Sequence, residues 1–210
     1  MLHPPTSRVG DTGRMDKPAG APDWSRLTWP RTTERLTLRP ASATDAEAMF
    51  AYRSDASVAR WMTLLPTDLV AWRADFGSRH PYALMIELAG EPIGDLFLKT
   101  EDAWSQAEVR DRATDVLAEI GWCLAPAHEG RGYATESVRD LLSVAFEGLG
   151  LHRVVAHCFA DNDPSWRLME RIGMRREAHT VRDALHRDGR WYDGYTYAML
   201  ADEWSPRCDA

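Results

Sequence analysis

The stretch EIGWCLAPAHEGRGYATE, residues 119–136, decides the fold. Its first six residues are mostly apolar and predict the end of a strand, which then enters a turn that contains Pro126, Gly130 and Gly132. A helix is expected from about Gly132, because apolar residues recur there at helical spacing until two glycines end the pattern. Its apolar stripe consists of Val138, Leu141, Leu142, Ala145 and Leu149.

The elements around this stretch predict a mixed sheet. Strands are expected at residues 115–124 and 152–160, and the helix between them requires these two strands to run parallel. Two hairpins add antiparallel strands, the second of them with Asp188-Gly189 at its turn. The fold class is therefore α+β, a mixed α/β layered structure. The remaining predicted strands are residues 34–39, 81–88, 92–100, 175–186 and 190–200.

Helices and a loop fill the rest of the pattern. Residues 44–47 have the sequence of a capping box and predict a helix that follows them. A short helix is expected over residues 57–62, and Thr67 is expected to cap a further one. Asp163-Pro164 has the pattern of a helix start with proline in the first turn. Residues 101–114 are polar without periodicity, which predicts a loop.

Composition narrows the class of protein. The chain has 210 residues, of which 44% are hydrophobic and 27% are charged, as in an ordinary globular domain. Its 25 basic and 32 acidic residues give a net charge of −7, which disfavours a nucleic-acid partner. Three scattered cysteines predict neither a disulfide scaffold nor a zinc site. No apolar run is long enough for a bilayer and the N-terminus has no secretory pattern, so we expect no membrane partner and a cytoplasmic location.

The chain divides into an arm, one domain and a tail. Residues 1–33 are rich in Pro, Gly, Arg and Asp and predict a partly disordered N-terminal arm. The domain is expected over residues 34–204, with a tail at 205–210. Three apolar residues of the arm, Trp24, Leu27 and Trp29, are candidates to dock it onto the domain. The alternative is an artefact of the start site or a tail without a role.

The turn at residues 130–135 is a candidate phosphate site. Glycines at 130 and 132 remove side chains where a ligand would approach the backbone, and the first amides of the helix have no intrahelical partner. Together with the helix dipole they favour an anion, to which Arg131 adds a charge and Thr135 a hydroxyl. The sequence matches neither a P-loop nor GxGxxG. The alternative is a strand-to-helix turn that uses glycine for its geometry alone.

These residues resemble the acetyl-CoA motif of the GNAT N-acetyltransferases, Gln/Arg-x-x-Gly-x-Gly/Ala. The sequence has Glu129-x-x-Gly132-x-Ala134, so glutamate stands at the first position. Residues 34–40 (ERLTLRP), 162–174 and 188–193 (DGRWYD) are similar, in the same order, to segments of the RimJ/RimL-like branch, which acetylates ribosomal-protein N-termini. The resemblance covers roughly residues 33–204. It implies a central, mostly antiparallel sheet with a splayed parallel strand pair and helices on both faces.

The resemblance also implies a donor and its site. Acetyl-CoA would be the co-substrate, no metal would be needed, and a homodimer is possible. Pantetheine would lie along the strand edge at Trp122, Cys123 and Leu124, with Asn162 bonded to its amides. The resemblance assigns the phosphates to the turn that consists of Glu129, Gly130, Arg131, Gly132, Tyr133, Ala134 and Thr135.

Two residues are candidates for catalysis. An amine nucleophile must lose a proton, and Glu119, on the strand that leads into the turn, would accept it through water as in several GNAT members. The alternative is a carboxylate that orients substrate or is merely solvated. Ser165 would stabilise the departing CoA thiolate, because Met169 stands where many relatives have a tyrosine. The alternative is an ordinary serine in the first turn of a helix.

The expected reaction is direct transfer of an acetyl group from acetyl-CoA to a primary amine in a ternary complex. An acyl-cysteine route through Cys123 is disfavoured, because no activating partner is evident in the sequence and a small buried residue explains that position. His152 and His157 are interpreted as strand residues, while Asp183, Asp193 and Tyr195 are placed on the acceptor side by resemblance alone.

Alternatives remain open for the acceptor and for the activity. The acceptor is either a protein N-terminus or a small cationic amine such as a polyamine or an aminoglycoside, since the net charge is negative. A non-catalytic acyl-CoA-binding domain is the rival of a different class, and a nucleotide-binding module is the third interpretation.

Overall fold

The computed structural model describes residues 18–205, and their strands and helices follow the predicted order, except that residues 31–32 of the expected arm form a short strand. Two segments lie outside the described residues: residues 1–17 of the arm and residues 206–210 of the tail, which include Cys208. The strands are β1 (Arg31–Thr32), β2 (Leu36–Pro40), β3 (Ala83–Leu88), β4 (Glu91–Glu101), β5 (Leu117–Leu124), β6 (Arg153–Phe159), β7 (Arg175–Leu185) and β8 (Trp191–Leu200). The α-helices are α1 (Ala46–Arg53), α2 (Ala56–Ala59), α3 (Leu69–Arg79), α4 (Tyr133–Ser143) and α5 (Asp163–Arg171).

The strands of residues 18–205 form a single sheet in the order β1-β2-β3-β4-β5-β6-β8-β7. Every neighbouring pair is antiparallel except β5 and β6, which run parallel. The predicted α+β class with its parallel pair is confirmed. The helix between β5 and β6 is what allows the parallel pairing, because a tight turn cannot join parallel strands.

Three helix starts differ from the prediction. The capping box that precedes α1 is formed by Ser42 and Asp45 rather than by residues 44–47, and Asp68 rather than Thr67 caps α3 with its carboxylate on the amide of Ala71 at 2.7 Å. The short helix α2 begins earlier and is shorter than expected. In each case several Ser, Thr and Asp residues are adjacent. The sequence alone does not show which of them accepts a hydrogen bond from the unpaired backbone amides at the start of the helix.

Two further local differences concern the loop before β5 and the end of α4. Residues 107–112 of the predicted loop form a 3₁₀ helix. The helix after the glycine turn stops being α-helical at Ser143 and continues as one π turn over Val144–Gly148. That turn still buries Val144, Ala145 and Phe146, so the apolar stripe extends past the end of α4.

The sheet separates two apolar layers. The larger core lies between one face of the sheet and helices α4 and α5, and it includes Leu96, Ile120, Leu141 and Val154. The smaller core lies between the other face and helices α1 and α3, and it includes Met85 and Cys123. Side chains therefore alternate between two layers along each central strand, as period-2 patterning requires. We call the face toward α1 and α3 the acceptor face.

β5 and β6 separate after a short stretch of pairing. Their register joins Leu117, Ala118 and Glu119 to Arg153, Val154 and Val155, and the pairing stops there. Beyond Glu119, β5 stays paired with β4 as far as Leu124, and β6 stays paired with β8 as far as Phe159. The two strands therefore leave a gap between them that begins at Glu119, and the predicted splayed pair is confirmed.

The described part of the N-terminal segment lies against the domain. Trp24, Leu27 and Trp29 pack on the larger core, and the indole nitrogen of Trp29 donates to the carbonyl of Trp24 at 2.8 Å. Arg31 forms an ion pair with Asp140 of α4 at 2.6 Å, and β1 pairs with β2. The division of the chain into arm, domain and tail stays a prediction.

Close approach of β4 to β5 at the end of the gap requires glycine at position 94. A Cβ atom added there would lie 2.3 Å from the carbonyl oxygen of Cys123, which is backbone that cannot move aside. We expect Gly94→Ala to lower the free energy of unfolding by about 1–3 kcal/mol through overpacking. Thermal or urea denaturation measures the change.

Gly77→Ala is the matched control. A Cβ atom at Gly77 in α3 would have no neighbour within 4 Å. Alanine also favours a helix over glycine by roughly 1 kcal/mol, so this variant is expected to be as stable as the wild type or more stable. Equal stability of the Gly94→Ala variant and the wild type would show that the two strands tolerate a wider spacing.

Candidate active site

The gap between β5 and β6 opens into a cavity of about 1820 Å³ that crosses the sheet. At one end it reaches the glycine turn before α4 and the first turn of α5. At the other end it lies beneath α1, α2 and α3 on the acceptor face. A volume of this size exceeds that of most small-molecule sites, which suits two substrates that meet in the middle.

The glycine turn has the backbone shape that an anion site needs. Gly130 and Gly132 have φ values of +72° and +82°, a region that side chains other than glycine rarely adopt. Gly132 is the N-cap of α4 and supplies no side chain to the helix end. The first intrahelical bond runs from the amide of Glu136 to the carbonyl of Gly132 at 3.0 Å, so the amides of Tyr133, Ala134 and Thr135 precede it.

A brace from the turn between β1 and β2 holds the glycine turn. The carboxylate of Glu136 accepts hydrogen bonds from the backbone amide of Arg35 at 2.8 Å, from its Nε at 2.7 Å and from the hydroxyl of Thr33. Arg35 also donates to the carbonyl of Arg131 at 3.0 Å, and its guanidinium lies 4.6 Å from the ring centroid of Tyr133. Burial alone would raise the pKa of Glu136, but these hydrogen bonds outweigh burial and lower it. Glu136 is therefore an anion that fixes the turn.

Two cations that the sequence analysis did not assign lie beside the turn. Arg35 and Arg171 both line the cavity, and Arg171 donates to the hydroxyl of Thr135 at 3.1 Å. The role of the Arg131 side chain stays a prediction, and its carbonyl accepts the hydrogen bond from Arg35. Sequence reasoning missed Arg35 because 96 positions separate it from Arg131, and only the sheet brings the two together.

The remaining predicted donor-site residues border the gap. The cavity lining includes Trp122, Cys123 and Leu124 of β5, and Glu129 of the turn. Asn162, the N-cap of α5, makes no capping hydrogen bond with its side chain and lines the cavity together with Ser165. The structure thus gathers around one opening all the predicted donor-site residues except the Arg131 side chain.

Glu119 lies where the strands part. It is the last β5 residue paired with β6, it is half-buried, and it lines the cavity. Its neighbours Ala118 and Ile120 belong to the larger core, so the alternation directs Glu119 toward the acceptor face. A carboxylate at this point borders both the donor end and the acceptor end of the cavity.

A buried charge cluster lies under the acceptor end. Asp95 of β4 is 1% exposed and accepts a hydrogen bond from Tyr52 at 2.8 Å and two from Arg53 at 2.9 and 2.5 Å. Burial would lower the pKa of Arg53, but the charge of Asp95 outweighs it and raises that pKa. The sequence showed no sign of this cluster, since an aspartate in an apolar strand has no partner until the helix packs on it.

This cluster also decides the state of Cys123. Burial, and next the negative charge of Asp95, raise the pKa of the Cys123 thiol to about 12. Cys123 is therefore a thiol and not a thiolate at neutral pH, and a thiol is a poor nucleophile. The interpretation of Cys123 as a small buried residue is confirmed, and an acyl-cysteine route has no support.

The β7–β8 hairpin closes the acceptor end. His186 bonds through Nε2 to the carbonyl of Arg60 at 2.8 Å, and Arg187 donates to the carbonyl of Met62 at 2.5 Å. Trp61 packs on Phe159 with ring centroids 5.4 Å apart. The segment after α2, residues 60–62, is therefore held against the β7–β8 hairpin and the end of β6.

The acceptor-side role that the resemblance gives to Asp183, Asp193 and Tyr195 stays a prediction. The cavity lining found among the described residues does not include Asp183, Asp193 or Tyr195. Asp193 is bonded to His179 at 2.8 Å and to the amide of Arg182 at 3.0 Å, so it stabilises the irregular part of β7. Hairpin motifs show which strands pair but not which face of the sheet each side chain takes where the register shifts.

Two searches for other functions gave negative results within residues 18–205. No group of three or more His, Cys, Asp and Glu side chains has the arrangement of a metal site. None of the helices is long and apolar enough to cross a membrane.

Comparison with known proteins identifies the family. Residues 35–175 match the model of the acetyltransferase (GNAT) domain. An uncharacterized N-acetyltransferase of Bacillus subtilis, YnaD, is 31% identical over 183 residues, which cover 83% of this chain and 98% of that protein. The putative ribosomal N-acetyltransferase YdaF of the same organism is 27% identical over 186 residues, 83% of this chain and 96% of that protein.

A solved structure agrees with these matches. RimJ of Mycobacterium smegmatis, in complex with CoA-disulfide, is 25% identical with a TM-score of 0.69, and the match covers 85% of this chain and 91% of that one. The chain belongs to the GNAT acetyltransferase family, and the predicted RimJ/RimL-like branch is confirmed. It is an acetyl-CoA-dependent N-acetyltransferase that transfers an acetyl group to a primary amine.

Proposed function

We propose that the cavity holds both substrates of this acetyl transfer, with the donor at the glycine-turn end and the amine on the acceptor face. The separation of β5 from β6 supports this arrangement most directly, because it joins the two ends through one opening. In this assignment the linked phosphates bind the amides of Gly130–Thr135, with Arg171, which donates to the Thr135 hydroxyl, as the nearby cation. Pantetheine lies along Trp122–Leu124 with Asn162 beside it.

Glu119 is the proposed proton acceptor for the amine. An ammonium group has no lone pair, so it must lose a proton before it attacks a carbonyl. Glu119 lies at the point where the gap begins, between the donor end and the acceptor end. Its carboxylate attracts the ammonium and takes the proton through a water molecule.

Glu119→Gln is expected to lower kcat by roughly 10²-fold or more, since the amide keeps the shape but cannot take a proton. The KM for acetyl-CoA is expected to stay unchanged, because the turn that binds the phosphates is intact. Initial rates of thiol release, with each substrate varied in turn, measure both constants. A kcat equal to that of the wild type would remove Glu119 from the mechanism.

Ser165 is the proposed partner of the CoA thiolate. It lies in the first turn of α5 and lines the cavity, while Met169 of the same helix is buried and has no proton to donate. A hydroxyl donor stabilises the thiolate as the C–S bond breaks, which matters because the thiolate is the leaving group.

Ser165→Ala tests this role. We expect a reduction in kcat of about 10- to 100-fold, the loss of one hydrogen bond to a developing charge, with CoA affinity nearly unchanged. Arg167→Ala is the matched control, because Arg167 is on the same helix and also lines the cavity. A change in CoA affinity that comes from altering this helix would appear in both variants. Loss of CoA affinity without loss of kcat in Ser165→Ala would assign the serine to binding alone.

The lining of the acceptor end points to an amine on an apolar body. Its charged groups are three arginines, Arg53, Arg60 and Arg79, against two carboxylates, Glu119 and Asp95. Asp95 is paired with Arg53 at 2.5 Å and Arg79 is paired with Asp75 at 2.6 Å, so Glu119 and Arg60 remain as the opposite charges at this end. The other side chains there are mostly apolar or aromatic: Met49, Val58, Trp61, Met62, Trp72, Tyr82 and Phe97.

This local lining outweighs the net charge of the whole chain. A polyamine or aminoglycoside brings several cations, and Glu119 can attract one of them while Arg60 repels the others. A single primary amine on an apolar or aromatic body, such as an arylalkylamine or a protein N-terminus with an apolar first side chain, matches both the charge and the surface. The cytoplasmic location and the homodimer stay predictions.

A screen of amines by CoA thiol release tests this acceptor class. Arylalkylamines and peptides with an apolar N-terminal residue are expected to exceed spermidine and kanamycin in kcat/KM. The expected difference is about 10-fold or more, the discrimination that matched apolar contacts usually give. Peptides with an aspartate at the N-terminus are the control for charge. Preference for spermidine would contradict the assignment, and release with none of the amines would favour the non-catalytic rival.

A further inference from the structure

His157 lies on the acceptor face at the opposite wall of the gap from Glu119. In β6, Val154 and Ala156 are buried in the larger core, so the alternation turns Val155, His157 and Phe159 to the other face. His157 is exposed and lines the cavity. It follows Val155, the last β6 residue paired with β5, by two positions, so it comes just after the point where the strands part.

A neighbouring strand holds the imidazole in place. Thr196 of β8 is the register partner of His157, and its hydroxyl oxygen lies 3.0 Å from Nδ1. In the tautomer that carries its proton on Nδ1, the ring donates to this oxygen and presents an unprotonated Nε2. A ring fixed through one nitrogen so that the other can take a proton is the arrangement of a general base.

The wall that faces His157 leaves room for a substrate. Gly121 follows Glu119 on β5 by two positions, as His157 follows Val155 on β6. Gly121 has no side chain, and it lines the same cavity. An amine that enters from the acceptor end would therefore pass between Glu119 on one strand and His157 on the other.

We propose that His157 is a second proton acceptor in the acetyl transfer. This inference rests on the proposed function and assigns a residue that the sequence interpretation treated as structural. The nitrogen of the acceptor carries three protons as an ammonium and one in the product amide, so two protons must leave it. A single carboxylate accepts one proton, and His157 accepts the other.

The step balances as follows. Glu119 takes the first proton through water, and the freed lone pair forms the C–N bond to the acetyl carbonyl carbon. The C–S bond breaks and its electron pair goes to sulfur. Nε2 of His157 takes the remaining excess proton from nitrogen. Of the two protons, one ends on the CoA sulfur and the other in solvent, to which the exposed imidazole has access.

His157→Ala with added imidazole is the test. We expect kcat to fall by about 10²-fold or more with the KM for acetyl-CoA unchanged, because only proton transfer is lost. Imidazole in the buffer is expected to restore part of the lost kcat by occupying the vacated space. A reaction without acceptor amine measures any thiol release that imidazole causes by itself, and circular dichroism shows that the variant is folded.

His152→Ala is the matched control. His152 is exposed just before β6, and the cavity lining among the described residues does not include it, so its replacement is expected to leave kcat unchanged. A wild-type kcat in His157→Ala, or a loss that imidazole does not restore, would overturn the inference while Glu119 keeps its role. Absence of thiol release by the wild type with every amine would instead overturn the proposed function.

Discussion

The structure depends on one constraint: two neighbouring parallel strands pair over three residues and then part. Pairing between β5 and β6 ends at Glu119, although each strand continues beyond that point and stays paired on its outer side. Strand edges inside a protein carry amides and carbonyls that need partners. A gap at the centre of the sheet is therefore a place for a ligand that supplies its own amides, as the pantetheine arm of CoA does.

The elements around the gap keep it open and aligned. The close approach of β4 at Gly94 keeps β5 paired on one side up to its last residue. At the other end, Glu136 links the start of α4 to Thr33 and Arg35 in the turn between β1 and β2, so hydrogen bonds hold the glycine turn against this part of the chain. The His186 and Arg187 contacts tie the β7–β8 hairpin to the segment after α2. The three attachments lie on different sides of the cavity and together fix its walls.

Much of this architecture could be predicted from the sequence, because its signals are local. The apolar stripe of α4, the glycines at 130 and 132 and the Asp188-Gly189 turn each determine their own element, and together they give the parallel pair and the hairpins. Features made by distant residues were missed. Arg35 beside the turn, the Asp95–Arg53–Tyr52 cluster and the orientation of His157 toward the cavity all require the sheet order and the face of each strand. The irregular register between β7 and β8 is likewise not visible in the sequence, so the acceptor-side role of Asp183, Asp193 and Tyr195 rests on the resemblance alone.

A crystal structure of the protein with CoA tests the central claim most directly. The account predicts the linked phosphates on the amides of Gly130–Thr135, the pantetheine chain along the β5 edge at Trp122–Leu124, and the sulfur within the opening next to Glu119. Phosphates bound away from the glycine turn, or β5 and β6 paired along their whole length around an excluded ligand, would contradict it.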